Sequence, residues 1–152
     1  MQAKDIVTSL IVLLACVSAS AQDKTKIPFV TAKNYFVRND YSGTGTVKIE
    51  SAKNFEEIFG AAALMGKNGR PTPIDFSKQY VIARISAVTN RSTELIPRSL
   101  VKDNSNHLIF YYTIKKGARM SSSMRPFVAI IVDKQYQGGI VVRPQEIAGG
   151  GE

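Results

Sequence analysis

The sequence predicts an α+β domain, in which one amphipathic helix packs on a mostly antiparallel sheet or small barrel of six to seven strands. An apolar stripe of helical spacing begins at Phe55 and predicts the helix. Alternating or continuous apolar segments follow from Tyr80 onward and predict strands. The connections between these segments are too short for crossover helices, so we expect neighbouring strands to run antiparallel.

Three elements are predicted before the helix. Residues 29–37 form a strand, and residues 39–45 form a turn, because asparagine, aspartate and glycine tolerate backbone angles that other residues avoid. The two glycines of this turn are not followed by the Lys-Ser/Thr pair of a phosphate-binding loop. Residues 46–50 form the second strand.

Ser51 is the predicted N-cap of the helix, because its hydroxyl can accept a hydrogen bond from the free backbone N–H groups of the first turn. Apolar residues then recur at the spacing of one helical face. These residues, which we expect in the core, are Phe55, Ile58, Phe59, Ala62 and Ala63. The helix is predicted to end near Gly66.

The second half of the chain is predicted to be mainly β. Pro97 lies inside one of its strands, and a proline that cannot donate to a sheet ladder indicates an edge strand or a bulge. Residues 127–132 are an unbroken apolar run, which is typical of a central strand. The predicted strands are residues 80–88, 93–101, 107–115, 127–132 and 140–143.

The first 21 residues have the layout of a secretory signal peptide. Lys4 precedes an apolar run over residues 6–15, and Ala19-Ser20-Ala21 forms an A-x-A cleavage site. The run is too short to cross a bilayer as a helix, which needs about 20 residues. We therefore expect a secreted or periplasmic protein, and no transmembrane helix.

Cys16 indicates an alternative localisation for the protein. Together with Leu13-Leu14-Ala15 it resembles a bacterial lipobox, in which case it becomes the lipidated first residue of an outer-membrane lipoprotein. With cleavage after Ala21, composition predicts the organisation of the chain. The predicted parts are a signal peptide (1–21), a flexible leader (22–28), a single α+β domain (29–147) and a flexible Gly-rich tail (148–152).

The chain carries a net charge of +8 at pH 7. Such a charge favours acidic partners or an anionic surface. Nucleic acid is not an expected partner, because the basic residues are scattered without a dense run and the protein is predicted to be exported.

Most catalytic and metal sites need residues that this sequence lacks. Cys16 is the single cysteine and His107 the single histidine, which excludes thiolate and histidine-rich metal sites in the domain. Asp75 is expected to fix a turn, and a carboxylate-based hydrolase centred on it is a third alternative. We therefore expect a protein that is not an enzyme and that has no metal or cofactor.

Two polar segments are candidate recognition loops, residues 88–97 and residues 116–126. The second combines positive charges, serines and methionines, and exposed arginine and methionine are favoured at protein interfaces. Long loops on a rigid sheet commonly carry binding residues. The predicted partner-binding residues are Arg91, Lys116, Arg119, Met120, Met124 and Arg125.

Several short motifs occur in a recognisable order. They are Asn54-Phe55-Glu56-Glu57-Ile58-Phe59, Ile74-Asp75-Phe76-Ser77-Lys78, Tyr80-Val81-Ile82-Ala83, Arg91-Ser92-Thr93 and Arg125-Pro126-Phe127-Val128-Ala129-Ile130. This order resembles the C-terminal domain of the protease-complex lipoprotein PrcB family, small exported bacterial domains linked to extracellular proteases. The resemblance covers residues 49–134 and departs at Glu94-Leu95, where the family tends to have Gly-Gly.

The resemblance implies a non-catalytic module that stabilises, inhibits or docks onto another exported protein, with a protease as the candidate partner. The residues by themselves leave a second possibility open. The basic side chains could instead bind a small anionic ligand or a surface glycan. We expect positive charge around one concave pocket in that case, and a projecting recognition loop without a pocket in the case of a protein partner.

Overall fold

The computed structural model describes residues 24–62 and 68–145, which form two sheets and a smaller helix-containing layer. The predicted signal peptide with Cys16, the tail at 148–152 and Ala63 lie outside the described residues. The elements are β1 (Thr25–Lys26), β2 (Val30–Thr31), β3 (Tyr35–Val37), β4 (Gly45–Ile49), α1 (Ala52–Ile58), β5 (Phe59–Ala61), β6 (Gln79–Ile85), β7 (Thr89–Lys102), β8 (His107–Met124), β9 (Phe127–Asp133) and β10 (Gly139–Gln145).

The middle sheet has the strand order β2-β9-β6-β4, and all its pairs are antiparallel. Strands β6 and β9 pair without a register shift from Gln79↔Asp133 to Ile85↔Phe127. Both strands are buried on both faces, which explains why β9 is a continuous apolar run. The prediction of a central strand over residues 127–132 is confirmed.

A first core lies between the middle sheet and the outer sheet. One face of β6 and β9 packs there against the inner face of β7 and β8, and the largest buried side chains include Tyr80, Ile82, Leu100, Phe110 and Ile130. The Tyr80 hydroxyl donates to the carbonyl oxygen of Tyr136 (2.6 Å). Burial raises the pKa of Tyr80 to about 12 because it disfavours the charged phenolate.

A second core lies on the opposite face of β6 and β9 and is covered by α1, β3 and β5. Ser51 caps the helix as predicted, with its Oγ accepting from the backbone N–H of Asn54 (3.2 Å). Phe55, Ile58 and Phe59 are buried, also as predicted. The Phe59 ring lies 5.1 Å from the ring of Phe127 on β9, which ties the helix layer to the middle sheet.

The predicted end of the helix near Gly66 is wrong, since α1 ends at Ile58. Residues Phe59–Ala61 are extended because they pair with β3, from Val37↔Phe59 to Tyr35↔Ala61. The predicted single strand over residues 29–37 is also corrected, because it is divided into β2 and β3. Asn34 lies between them with a φ of 64°, a left-handed conformation that breaks the extended chain.

The outer sheet has the order β1-β7-β8-β10. Strand β10 runs parallel to β8, whereas the other strand pairs of the described residues are antiparallel, so the predicted mostly antiparallel arrangement is confirmed. The strands form separate open sheets rather than a small barrel. A register shift between Pro97 and Ser99 confirms the predicted bulge.

The predicted flexible leader at residues 22–28 is corrected in part. Strand β1 pairs with β7 through Thr25↔Lys102 and Lys26↔Val101. Ile27 is 2% exposed and its backbone N–H donates to the carbonyl of Leu100 (2.8 Å). A buried side chain and a satisfied backbone fix this segment to the domain.

Two short connections relate the sheets. Residues 86–88 lead from β6 to β7, and Arg125-Pro126 lead from β8 to β9. The backbone N–H of Ser86 donates to the carbonyl of Pro126 (2.9 Å), so the two connections stay paired. The β6/β9 and β7/β8 pairs are therefore consecutive parts of one long ribbon that folds back on itself over the first core.

Candidate protein-binding surface

The two segments predicted as recognition loops are strands, and they pair with each other. Residues 116–124, predicted as a loop, are the second half of β8, and residues 89–97 belong to β7. The pairs Thr89↔Met124, Arg91↔Arg119 and Thr93↔Lys116 bring them together next to the point where the ribbon folds back. The loop prediction was wrong because the backbone groups of these polar residues have a ladder partner on β7.

The pairing in this region is irregular. From Thr89 to Thr93, β7 advances four residues, while β8 advances eight residues from Met124 to Lys116. Extra residues in one strand of an antiparallel pair form bulges, which bend that strand and redirect its side chains. The side chains of β8 therefore do not alternate simply here.

Arg91, Lys116 and Arg119 form a surface that we call the basic face. Residues that pair directly point to the same side of a ribbon. Between Arg91 and Thr93 the extra residue is in β8, so β7 keeps its alternation and these two residues share a side. Lys116, opposite Thr93, therefore lies on the same side as the Arg91–Arg119 pair. All three cationic residues are exposed.

The cations of the basic face are not neutralised by the described part of the chain. Its ion pairs are Arg38–Asp40, Lys48–Glu50 and Asp103–His107, none of which involves the basic face. Arg91 Nη1 makes one long contact, to the carbonyl of Gly117 (3.5 Å). Like charges directly opposite each other destabilise a strand pair, so Arg91 and Arg119 are placed at a cost to stability.

The two predicted methionines differ in their surroundings. Both are half-buried, and the Met124 sulfur also accepts a contact from the backbone N–H of Thr93 (3.5 Å). Lys115 lies opposite Glu94, on the other side of the ribbon from Lys116. The sequence indicated Lys116 as a contact residue but not the side of the ribbon on which its side chain lies, because that side depends on the register between β8 and β7.

Arg125 faces the interior of the molecule rather than the basic face. Its Nη1 donates to the carbonyl of Tyr41, and its Nη2 donates to the carbonyl of Gly43 (3.0 Å). The guanidinium carbon also lies 5.7 Å from the centre of the Tyr41 ring. Arg125 thus holds the segment before β4 against the connection from β8 to β9.

Asp75 and His107 have structural partners. Asp75 Oδ1 accepts from the backbone N–H (3.0 Å) and the hydroxyl (2.5 Å) of Ser77, which holds the pKa of Asp75 below its usual range. This is the predicted turn-fixing role. His107 is exposed at the start of β8, as predicted, and lies 3.4 Å from a carboxylate oxygen of Asp103. Among residues 24–62 and 68–145, no group of three or more potential metal ligands is present.

Comparison with protein-family models gave no match, and neither the curated proteins nor the solved structures gave a significant match. The resemblance to the PrcB family therefore stays a prediction. No helix in the described part of the chain is long and apolar enough to cross a membrane.

Proposed function

We propose that this protein is a non-catalytic, exported binding module that recognises an acidic surface of another exported protein through its basic face. The observation that carries the proposal is the placement of Arg91 directly opposite Arg119, with Lys116 on the same side and no neutralising carboxylate in the described residues. The proposal keeps the predicted signal peptide, with Gln22 as the mature N-terminus. Intact mass of the exported protein distinguishes it from the lipidated Cys16 form.

The chemistry of the basic face suits a protein partner. An arginine can form forked, charge-assisted hydrogen bonds to a carboxylate, which are stronger than neutral ones. Carboxylates of a partner would also remove the repulsion between Arg91 and Arg119. Met120, which is half-buried and follows Arg119 in the chain, would supply an adaptable apolar contact.

The class of partner rests on the resemblance to protease-associated domains. In that family the expected action is to stabilise, inhibit or dock onto a protease. Arg125 and Met124, which the sequence suggested as contacts, support the ribbon from inside in this proposal. Arg91, Lys116, Arg119 and Met120 remain as contact residues.

One observation favours a second candidate function, the binding of a small anionic ligand or surface glycan. A cleft of about 530 Å³ is lined by Lys33, Asn34, Asn68, Arg70 and Thr72, with two prolines. The Asn34 side chain donates to the carbonyls of Asn68 (2.8 Å) and Arg70 (2.9 Å), which fixes the shape of the cleft. Lys33 and Arg70 could there contact carboxylate or sulfate groups.

The test is a triple variant, Arg91→Gln, Lys116→Gln and Arg119→Gln. A protein captured by the immobilised parent from the exported fraction is identified and purified, and its affinity is measured for both forms. We expect the triple variant to bind at least about tenfold more weakly, which corresponds to about 1.4 kcal/mol. The affinity of the parent should also fall with added salt, because exposed charges are screened.

The control is a second triple variant with the same change of charge at exposed residues elsewhere, Lys53→Gln, Lys78→Gln and Arg143→Gln. Equal binding by the two triple variants would contradict the proposal, as would the absence of any captured protein. Retention on a sulfated polysaccharide that is lost in Lys33→Gln/Arg70→Gln, but not in the basic-face variant, would instead support the second candidate.

A further inference from the structure

The helix layer contains a small pocket that shares no residue with the basic face. It lies between α1, the β3/β5 pair and the segment before β6, and has a volume of about 250 Å³. Ligand pockets for drug-sized molecules measure roughly 300–1,000 Å³, so this one suits a smaller group. Its principal lining residues are Tyr35, Phe55, Glu56, Phe59, Ile74 and Phe76.

Four of the eight residues that line the pocket are aromatic. The Phe55 ring is at the centre of this group, with the ring of Tyr35 perpendicular to it at 5.0 Å and the ring of Phe76 at 5.8 Å. The Tyr35 hydroxyl donates to the carbonyl of Thr72 (2.5 Å), which holds its ring in place. Tyr35 and Phe76 are half-buried, so that part of each ring is accessible.

Glu56 is the charged residue among those that line the pocket. In the described part of the chain, no lysine, arginine or histidine nitrogen lies within 4.0 Å of its carboxylate. Lys53 is one turn earlier on α1 but does not form an ion pair with it. The carboxylate is therefore available to a ligand.

Rings and carboxylate together select the charge of the ligand. The face of an aromatic ring is negative and attracts a cation within about 6 Å of its centre. Glu56 adds a full negative charge, so an anion is disfavoured. A bare metal ion is also disfavoured, because the wall offers aromatic and aliphatic carbon where such an ion needs several oxygen ligands.

We propose that this pocket binds a small organic cation, an alkylated ammonium group whose charge faces Glu56 and whose alkyl groups contact Tyr35, Phe55 and Phe76. Its apolar alkyl groups displace water from the rings, and its positive charge is attracted both by the faces of the rings and by the Glu56 carboxylate. The inference does not depend on the proposed protein-binding function, because a different layer of the fold carries it.

The test compares choline with its neutral isostere 3,3-dimethylbutan-1-ol by NMR titration of the isotope-labelled protein at constant chloride concentration. We expect saturable shifts with choline at a dissociation constant in roughly the millimolar range, confined to the pocket residues. The neutral isostere should bind about fivefold or more weakly, because it lacks the charge that the rings and Glu56 attract.

Two substitutions on adjacent helix positions provide the matched pair. Glu56→Gln removes the carboxylate that lines the pocket and should weaken choline binding about threefold or more. Glu57→Gln makes the same change at an exposed residue that does not line the pocket, and should leave binding unchanged. Phe76→Leu, which keeps an apolar wall but removes a ring, should weaken choline more than the isostere.

Three results would overturn the proposal. Equal affinity for choline and the isostere would mean that the pocket is merely apolar. Equal weakening by Glu56→Gln and Glu57→Gln would mean that choline is attracted to an acidic helix surface rather than bound in the pocket. The absence of saturable shifts at about 50 mM choline would exclude a site of useful affinity.

Discussion

The two halves of strand β8 differ although they belong to one continuous strand. Residues 107–114 pack Leu108, Phe110 and Tyr112 into the first core, and each of these is at most 4% exposed. Residues 115–124 are exposed or half-buried and include Lys116 and Arg119. The first half also pairs with β10, whereas the second half pairs with β7 alone among the described residues.

The difference shows what burial imposes on a strand. A shift of one residue would move the apolar side chains of the first half out of the core. Its pairing with β7 has one irregularity, where β7 has an extra residue between Pro97 and Ser99, and β8 itself keeps its alternation there. No such penalty applies to the second half, which accommodates extra residues and two arginines in direct opposition. The pairing of the exposed half is therefore not restricted by burial in the way that the pairing of the first half is.

The largest difference in the free energy of unfolding should appear when one side chain in each half of β8 is replaced by alanine. Phe110→Ala removes a fully buried ring and should lower the free energy of unfolding by about 3–5 kcal/mol. Met120→Ala, in the exposed half, should change it by less than about 1 kcal/mol. Chemical denaturation of the two variants measures both values, and similar losses would mean that the two halves of β8 are equally packed.

A smaller loss of stability is expected for Arg125→Ala, and it should distinguish the structural role of Arg125 from the binding role proposed for Arg91 and Arg119. Arg125→Ala removes the hydrogen bonds to the carbonyls of Tyr41 and Gly43 and should lower the free energy of unfolding by about 1–3 kcal/mol. The affinity of the Arg125→Ala variant for the captured partner should stay within about twofold of the affinity of the parent protein. A loss of affinity in a folded Arg125→Ala variant would return Arg125 to the contact residues.

The smallest effect concerns charge across the ribbon. Arg119→Glu replaces a repulsive pair with an attractive one opposite Arg91, and should raise the free energy of unfolding by about 0.2–1 kcal/mol at low salt. The same variant should weaken partner binding. Lys115→Glu is the matched control, because it creates repulsion opposite Glu94 and should lower stability by a similar amount.

The salt dependence of stability checks the prediction for Arg119→Glu and Lys115→Glu. Both stability changes should shrink as ionic strength rises, since exposed charges are screened beyond about 10 Å at 0.1 M salt. A gain in stability for Lys115→Glu, or changes that do not respond to salt, would contradict the register that we describe for β7 and β8.

The sequence predicted those elements whose signals are local or that follow from burial. Ser51 caps the helix through a hydrogen bond within one turn, and the apolar run of β9 is a direct consequence of burial on two faces. The end of α1 could not be predicted in this way. Phe59 continues the helical spacing, but its backbone pairs with Val37 instead. A helix of seven residues is only marginally stable by itself, so strand pairing determines where it ends.

The candidate surface was predicted residue by residue but not as an arrangement. The Gly117 and serine content of β8 is typical of a loop, and only the distant β7 makes it a strand. That Arg91 meets Arg119 depends on extra residues in β8, and no proline marks them in the sequence as Pro97 marks the bulge in β7. The pocket was missed because Phe55 and Phe59 were correctly assigned to a core, and that assignment does not show where the core is open.

The paired connections at residues 86–88 and Arg125-Pro126 affect the entropy of folding. Strands β6 and β9 are far apart in sequence, and closing a long flexible loop between Ile85 and Phe127 carries an entropic cost that grows with its length. The chain between them is instead occupied by the β7/β8 hairpin, whose turn at residues 103–106 is short. Once that hairpin has formed, Ile85 and Phe127 are already neighbours, and the central pair of the protein assembles without a further long loop to close.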